Sequence, residues 1–293
     1  MRLERVTFSG FRSLRDLTLE LGDLTVITGP NNAGKSFYAG PANILFDYSE
    51  FTRAGEPRLA VFAPSKGALD FITKLRQSVT GIRILRPVPH LCRRPAAPGT
   101  DVLLGQYGEN IPVVADHLRR TKPGAWTSVQ EAMAAIVPGL LGIDIVSTED
   151  LQLAVRFEER GVRRAWTSGE VSDGTVQALA LTIALFDDRI RILGVEEPEN
   201  ALHPWILREI IRLCTKKPGK QVVLTTHSPV LLDYVPAESV HLMWREDGES
   251  RIGKMLDLDD DVRKVWVDGG AGLFELYDSG GIPRATPGDV GNA

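Results

Sequence analysis

Gly29-Pro30-Asn31-Asn32-Ala33-Gly34-Lys35-Ser36 is the stretch that decides how this chain folds. It follows the apolar run Leu24 to Ile27, which reads as a buried strand, so a strand feeds a glycine-rich turn ending in Lys and Ser. In that context the pattern is a phosphate loop. Its glycines, Gly34 among them, let the backbone around Asn31 and Asn32 curl until N–H groups face phosphate oxygens. Lys35 neutralises the β and γ oxygens, and the Ser36 hydroxyl is a hard ligand for magnesium.

Upstream of the loop, Leu3, Val6 and Phe8, then Leu17, Leu19 and Leu21, alternate as two antiparallel strands. Downstream, residues 37 to about 150 are mixed α/β sequence, with Pro and Gly scattered between Pro57 and Pro112 and a helix expected from Ser128 to Val137. Ile143 to Val146 and Leu151 to Phe157 read as strands, and Val176 to Phe186 as a helix apolar almost all round, hence buried. Two short apolar runs follow, Ile190 to Val195 and Val222 to Thr225, separated by an amphipathic helix around Trp205 to Cys214. Apolar strand, helix, apolar strand is the pattern of a parallel sheet covered on both faces. The stretch from Asp278 to Ala293 is rich in Gly and Pro and poor in large apolar residues, so it is expected to be disordered.

Composition fits this reading and excludes several others. Hydrophobic residues make up 43% and charged residues 25%, the balance of an ordinary soluble domain. No apolar run approaches the roughly 20 residues that span a bilayer, and the charged N-terminus does not suit a signal peptide, so a cytoplasmic protein without membrane contact is expected. The two cysteines, Cys92 and Cys214, lack metal-ligand spacing and read as plain thiols. A net charge of -4 leaves room only for local nucleic-acid contact.

Three further stretches carry chemistry. Ile192-Leu193-Gly194-Val195-Glu196-Glu197 is an apolar strand ending in adjacent carboxylates. Glu196 at the strand end suits the shell of a magnesium ion, leaving Glu197 to orient or deprotonate a water. Ser172-Asp173-Gly174-Thr175 precedes the buried helix, where Ser or Asp caps the first turn and free N–H groups form an anion site. Thr226-His227-Ser228 ends the strand Val222 to Thr225, which lets His227 reach a γ-phosphate in the crevice of an open sheet.

In order and spacing these stretches resemble the ATPase heads of the ABC superfamily, in the branch of SMC-like, recombination-repair and overcoming-lysogenization-defect (OLD) type ATPases. GPNNAGKS is similar to Walker A, SDGT to the abbreviated signature, VEEPENALHP to Walker B with its D-loop, and THS to the switch histidine. Leu104 to Pro112, LGQYGENIP, is similar to a segment common in bacterial members. The resemblance spans about residues 1 to 245 and implies an α/β P-loop NTPase fold. That fold would have a mixed sheet, an N-terminal antiparallel β part and an inserted α/β lobe at about 45–150, with residues 246–277 as an extension of the head. It also implies that ATP and magnesium are the cofactors, that Lys35 and Ser36 bind phosphates and metal, that Glu196 supports the metal, that Glu197 polarises water and that His227 senses the γ-phosphate. Ser172 and Gly174 would contact the nucleotide of a second copy, making the working form a head-to-head homodimer. Arg12, in Gly10-Phe11-Arg12-Ser13, is similar to an N-terminal arginine that approaches the nucleotide in SMC-like heads.

The sequence departs from that pattern in places. Gly40-Pro41 interrupts the helix expected after Lys35, and the family's Q-loop glutamine has only Gln77 and Gln106 as candidates. There is no heptad run for a long coiled coil, and no Toprim-like nuclease segment follows the switch histidine. From Phe71 to Thr100 there is no acidic residue, while Lys74, Arg76, Arg83, Arg86, Arg93 and Arg94 are present. The stretch Lys74 to Arg94 is therefore open to three readings: a track for DNA or RNA phosphates, a surface for an acidic partner, or a solvated arm offsetting Asp257 to Asp261. The function expected is an ATPase gated by nucleotide, working with an effector partner in bacterial DNA maintenance or anti-phage defence. The alternative is an ATP-binding scaffold with negligible turnover that restrains a nuclease or toxin. An ATPase subunit of a transporter is disfavoured by the short SDGT signature.

Overall fold

A computed structural model describes residues 4–11, 14–29, 58–61, 81–99, 103–200, 202–216, 219–258, 263–264 and 275. Arg12, Asn31, Asn32, Gly34, Lys35, Ser36, the Gly40-Pro41 break, Lys74, Arg76, Gln77 and the tail 278–293 lie outside these residues. The strands in chain order are β1 Arg5–Phe11, β2 Leu14–Glu20, β3 Leu24–Thr28, β4 Arg58–Val61, β5 Ile82–Leu85, β6 Leu140–Ser147, β7 Leu153–Glu159, β8 Trp166–Thr167, β9 Ile192–Glu196, β10 Gln221–Thr225, β11 Val240–Glu246 and β12 Glu249–Lys254. The chain divides into two compact units, Met1–Ile82 with Gln221–Ala293, and Arg83–Lys220.

In the first unit, β1 and β2 form the expected antiparallel pair, with β4 parallel to β1 on its other side. A second set of strands runs in the order β12-β11-β3-β10. Here β3 lies parallel to both β10 and β11, and β12 turns back antiparallel on β11. Every residue of β3 and of β10 is buried, the polar Thr25, Thr28, Gln221 and Thr225 included, so these mainly apolar strands belong to a central, fully covered part of a parallel sheet. The ladder continues past both strands, with Val222 N–H donating to Asp23 C=O at 2.8 Å and Thr226 N–H to Ile27 C=O at 3.0 Å. The ends of β3 and β10 are thereby held side by side.

The second unit is organised around the helix Asp173–Phe186, whose residues Gly174 to Leu185 are all buried. The helices Pro89–Cys92, Pro123–Ile136 and Pro204–Lys216 lie against it. It begins one turn before the expected Val176 because the Ser172 side chain caps it, accepting the Thr175 N–H at 3.2 Å. At the other end Lys220 Nζ donates to the carbonyls of Ala184, at 2.5 Å, and Asp187, at 2.9 Å, meeting acceptors that the last turn leaves unpaired. The Asp187 carboxylate, fully buried, is held by Arg189 Nη2 at 2.7 Å. Strand β9 runs beside β5, while β6, β7 and β8 form a separate antiparallel sheet.

Some boundaries differ from the sequence expectation. The helix expected from Ser128 starts at Pro123, because Pro at the first position needs no N–H partner and Trp126 is already buried; Lys122, which precedes it, gives no capping side chain to read. The strand expected from Leu151 starts at Leu153, since Leu151 is exposed at φ 58 in a turn closed by Thr148 and Gln152. A further helix, Ile111–Thr121, lies where the sequence showed only mixed pattern. Among the described residues no helix is long and apolar enough to cross a membrane.

Both cysteines are buried free thiols, and burial pushes their pKa from 9.0 up to about 12. The fold favours the neutral thiols, so their contribution to stability is complete below the unfolded value of 9.0 and is lost as pH rises from there toward about 12. Iodoacetamide at about pH 8 should label neither in the native protein and both in denaturant. Rapid native labelling would contradict the burial of either site.

Candidate functional site

The first unit brings two of the expected stretches to neighbouring strand ends. β3 runs into Gly29, the first residue of the phosphate-loop stretch, and β10 runs into Thr226-His227-Ser228. Gly29 has φ +144, and a Cβ there would fall inside the contact radius of the Met243 carbonyl oxygen on β11. Glycine is thus required both by backbone conformation and by a neighbouring strand that leaves no room for a side chain. The Thr226 side chain accepts the Ser228 N–H at 2.9 Å, closing a small turn that leaves His227 exposed.

In the second unit, β9 delivers the paired carboxylates. Glu196 is the last residue of the strand and is buried; Glu197 leaves it with φ 46, in the left-handed region. That conformation costs an ordinary side chain about 1–3 kcal/mol and persists only where neighbours enforce it. Here Pro198 disfavours the right-handed region for the residue before it, and Asn200 closes the turn. Its backbone N–H donates to Glu197 C=O at 3.1 Å and its Nδ2 to Glu197 Oε2 at 2.8 Å. The carboxylate of Glu197 is therefore aimed by a locked turn.

The end of β5 supplies the opposite charge. Arg86 Nη1 lies 3.8 Å from Glu196 Oε2 and Nη2 lies 3.9 Å from Glu197 Oε2. Arg86, Pro87, Val88, Pro89, Gln177, Leu181 and the turn Glu196 to Pro198 with Asn200 line a cleft of about 270 Å³. The chain following Arg86 is pinned along its backbone: Arg86 N–H donates to Gln106 C=O at 2.8 Å, Val88 N–H to Tyr107 C=O at 3.0 Å, and Gln177 Nε2 to Pro87 C=O at 2.9 Å. The other amide atom of Gln177, Oε1, is buried with no hydrogen-bond partner among the described residues. The segment Leu104 to Pro112 has a definite structural task here. Asn110 ties its turn by accepting Gly105 N–H at 2.7 Å and donating to Leu103 C=O at 2.9 Å, so that its carbonyls face residues 86 to 92.

The signature-like turn is half open. Ser172 and Asp173 are exposed, whereas Gly174 and Thr175 are buried at the start of the central helix. Arg93 fixes its approach, donating to Val171 C=O at 2.6 Å and pairing with the Asp173 carboxylate. Of the four described arginines in the acid-free stretch, Arg86 and Arg93 thus face carboxylates of this same unit, which removes much of the free positive charge that the sequence suggested.

A magnesium ion fits this donor set in one respect that can be checked. Among the described residues no three His, Cys, Asp or Glu side chains converge as a self-sufficient metal site. A single buried carboxylate at a strand end, Glu196, is what a hydrated ion held mainly by phosphate oxygens requires. Sequence reading missed Arg86 and Gln177. Arg86 carried the same signal as Glu196, a charge directly after an apolar strand, but was absorbed into a run of basic residues; Gln177 was hidden inside an apolar helix. Gln106 does not line the cleft and enters only through its carbonyl.

By fold the chain is similar to an SMC head domain. The chain belongs to the family described as "AAA domain, putative AbiEii toxin, Type IV TA system", whose model matches residues 63–233, more than half of the sequence. That span includes Ser172 to Thr175, Glu196, Glu197 and His227, and begins after the phosphate-loop stretch. Among solved structures, the chain is similar to an SMC head bound to the C-winged helix domain of ScpA, with a TM-score of 0.56 at 13% identity, covering 83% of this chain and 95% of that one. It is also similar to the SMC head domain from Thermotoga maritima, with a TM-score of 0.48 at 15% identity, covering 87% and 99%. The first of these similarities speaks for the fold alone. No curated protein matches the chain.

Gly29→Ala should lower stability by about 1–3 kcal/mol, the cost of a side chain forced into this backbone region. The change is read as a lower denaturation midpoint, and an unaltered midpoint would show that β11 does not crowd this position.

Proposed function

We propose that this protein binds ATP with magnesium and hydrolyses it, at a site completed by a second copy of the chain. The observation that carries the reading is the locked Glu197 turn at the end of β9, which holds one carboxylate toward a cleft while Glu196 stays buried beside it. An enzyme that needs one carboxylate near a metal and another facing water is built in this way. Asn31, Asn32, Gly34 and Lys35 would cradle the phosphates. Magnesium, held by Ser36 and Glu196, would supply neutralisation of the phosphate charge.

Glu197 orients a water in line with the γ-phosphate and accepts its proton as the new P–O bond forms. The bond to the β–γ bridging oxygen breaks and ADP leaves. Lys35 and His227 stabilise charge on the phosphoryl oxygens from the same subunit, and Arg12 approaches the nucleotide. Ser172 and Gly174 serve the nucleotide of the second copy, a role supported by the exposure of Ser172 and Asp173 at the N-terminus of a long buried helix. In this reading the homodimer forms through its ATP sites in the cytoplasm and gates an effector protein in DNA maintenance or anti-phage defence, with nucleic acid reached through Lys74 to Arg94.

A second reading is favoured by the family description, which names a toxin system. An ATP-binding switch with negligible turnover would then restrain a toxin or nuclease. Steady phosphate release that rises more than linearly with protein concentration supports the hydrolysing dimer; ATP binding without release supports the switch.

Glu197→Gln should retain ATP binding, lose phosphate release by about 10²-fold or more, the scale of a lost general base, and accumulate as a nucleotide-bound dimer in light scattering. Turnover at the parental rate would sink the assignment of the base. Lys35→Ala should abolish binding of a fluorescent ATP analogue, and unchanged affinity would contradict the phosphate-loop reading.

A further inference from the structure

The turn Ser172 to Thr175 carries an acid at the place where an anion would arrive. Asp173 is the first residue of the central helix and its side chain is more than half exposed. An acid in a first turn stabilises the helix, but its negative charge opposes any phosphate drawn to the same end. Arg93 answers that charge. Its guanidinium straddles Ser172, pairing with the Asp173 carboxylate on one side and donating from Nη2 to Val171 C=O at 2.6 Å on the other. Unlike an ordinary surface arginine, its side chain is only 21% exposed. Its backbone N–H donates to Pro89 C=O at 3.2 Å, and Cys92 beside it is buried, so the cation is built into the fold. The acid before the turn, Glu170, is matched in the same way by the fork of Arg164, at 2.6 Å and 3.0 Å. Neither acid is left to repel an anion at the exposed Ser172.

We propose that Arg93 is a positioning residue that makes this turn competent to receive the triphosphate held by a second copy of the chain. It cancels the charge of Asp173 and fixes Ser172 between its two contacts. The inference rests on the reading of Ser172 and Gly174 as groups that meet the second copy's nucleotide. With Arg93 in place, Asp173 still supports the helix from its first turn without turning phosphate away. Arginine suits the role because its planar fork reaches a carbonyl and a carboxylate together and stays charged.

The test is dimerisation of the full chain with magnesium and a non-hydrolysable ATP analogue, followed by sedimentation velocity, a readout that needs no turnover. R93Q leaves the turn one charge more negative and should raise the dimer dissociation constant about tenfold or more, the effect of one solvated charge near a phosphate, met twice in each dimer. R93Q combined with D173N restores neutrality and should return to within about twofold of the parental value. D173N alone leaves Arg93 unopposed and should tighten the dimer about threefold or more. Raising salt from about 0.1 M to about 1 M should shrink these differences by screening.

A parental dissociation constant in R93Q would overturn the proposal. So would a double variant that dimerises no better than R93Q, the outcome of a purely structural role. Should R93Q fail to fold, D173N decides alone: dimers unchanged or weaker than the parental ones overturn the proposal. Analogue affinity at concentrations too low for dimers should be equal in all four proteins, and a loss in R93Q would place Arg93 in its own copy's site instead. A parental protein that binds the analogue yet stays monomeric at every concentration would defeat the two-copy reading, and the role of Arg93 with it.

Discussion

Two neighbouring carboxylates at the end of a buried strand must be met by compensating charge and by polar groups that fix their direction, and the second unit is arranged around that demand. Glu196 stays inside as the last strand residue, while Glu197 is turned outward through a left-handed backbone step held by the hydrogen bonds of Asn200. Arg86 arrives from the end of the adjacent strand β5 to supply the charge. Each of these groups sits at a strand end, because only there can a side chain leave a covered sheet without breaking its ladder.

Those strand ends are steady because the elements behind them are. The helix Asp173–Phe186 has almost no exposed residue and is secured at both ends, by the Ser172 cap and by Lys220 on its last carbonyls. Gln177 on this helix reaches Pro87, so the central helix also fixes the chain that carries Arg86. Arg93, seven residues further, grips Val171 and Asp173 beside the cap. One short stretch of chain therefore touches the carboxylates at its start and the signature-like turn at its end. Both contacts are charged at one partner or both, which makes them directional as well as attractive.

Much of this was legible in the amino-acid sequence, for reasons that differ from element to element. β3, β9 and β10 were recognisable because strands covered on both faces must be largely apolar, and the central helix because burial on all sides leaves it few polar positions. The region between them was harder to read. Helix Pro123–Ile136 begins without a capping side chain, and helix Ile111–Thr121 has Asn110 ahead of it with no side-chain cap, so neither announces its start. Leu151 looked like a strand residue and instead occupies a turn, where an exposed leucine costs little and the Thr148–Gln152 hydrogen bonds set the backbone.

What the sequence determined by itself was the set of local obligations: a glycine where Gly29 turns, carboxylates after an apolar strand at Glu196 and Glu197, a cap at Ser172. Each follows from backbone sterics or from the chemistry of one side chain, and so needs no knowledge of distant residues. Only the tertiary structure decided which groups meet. It placed Arg86 against carboxylates more than a hundred residues away in the chain, made Leu104 to Pro112 a brace for the segment after Arg86, and turned Gln177 from a helix residue into a lining of the cleft. Charge interactions depend on separation in space, and that separation is set by how strands and helices stack.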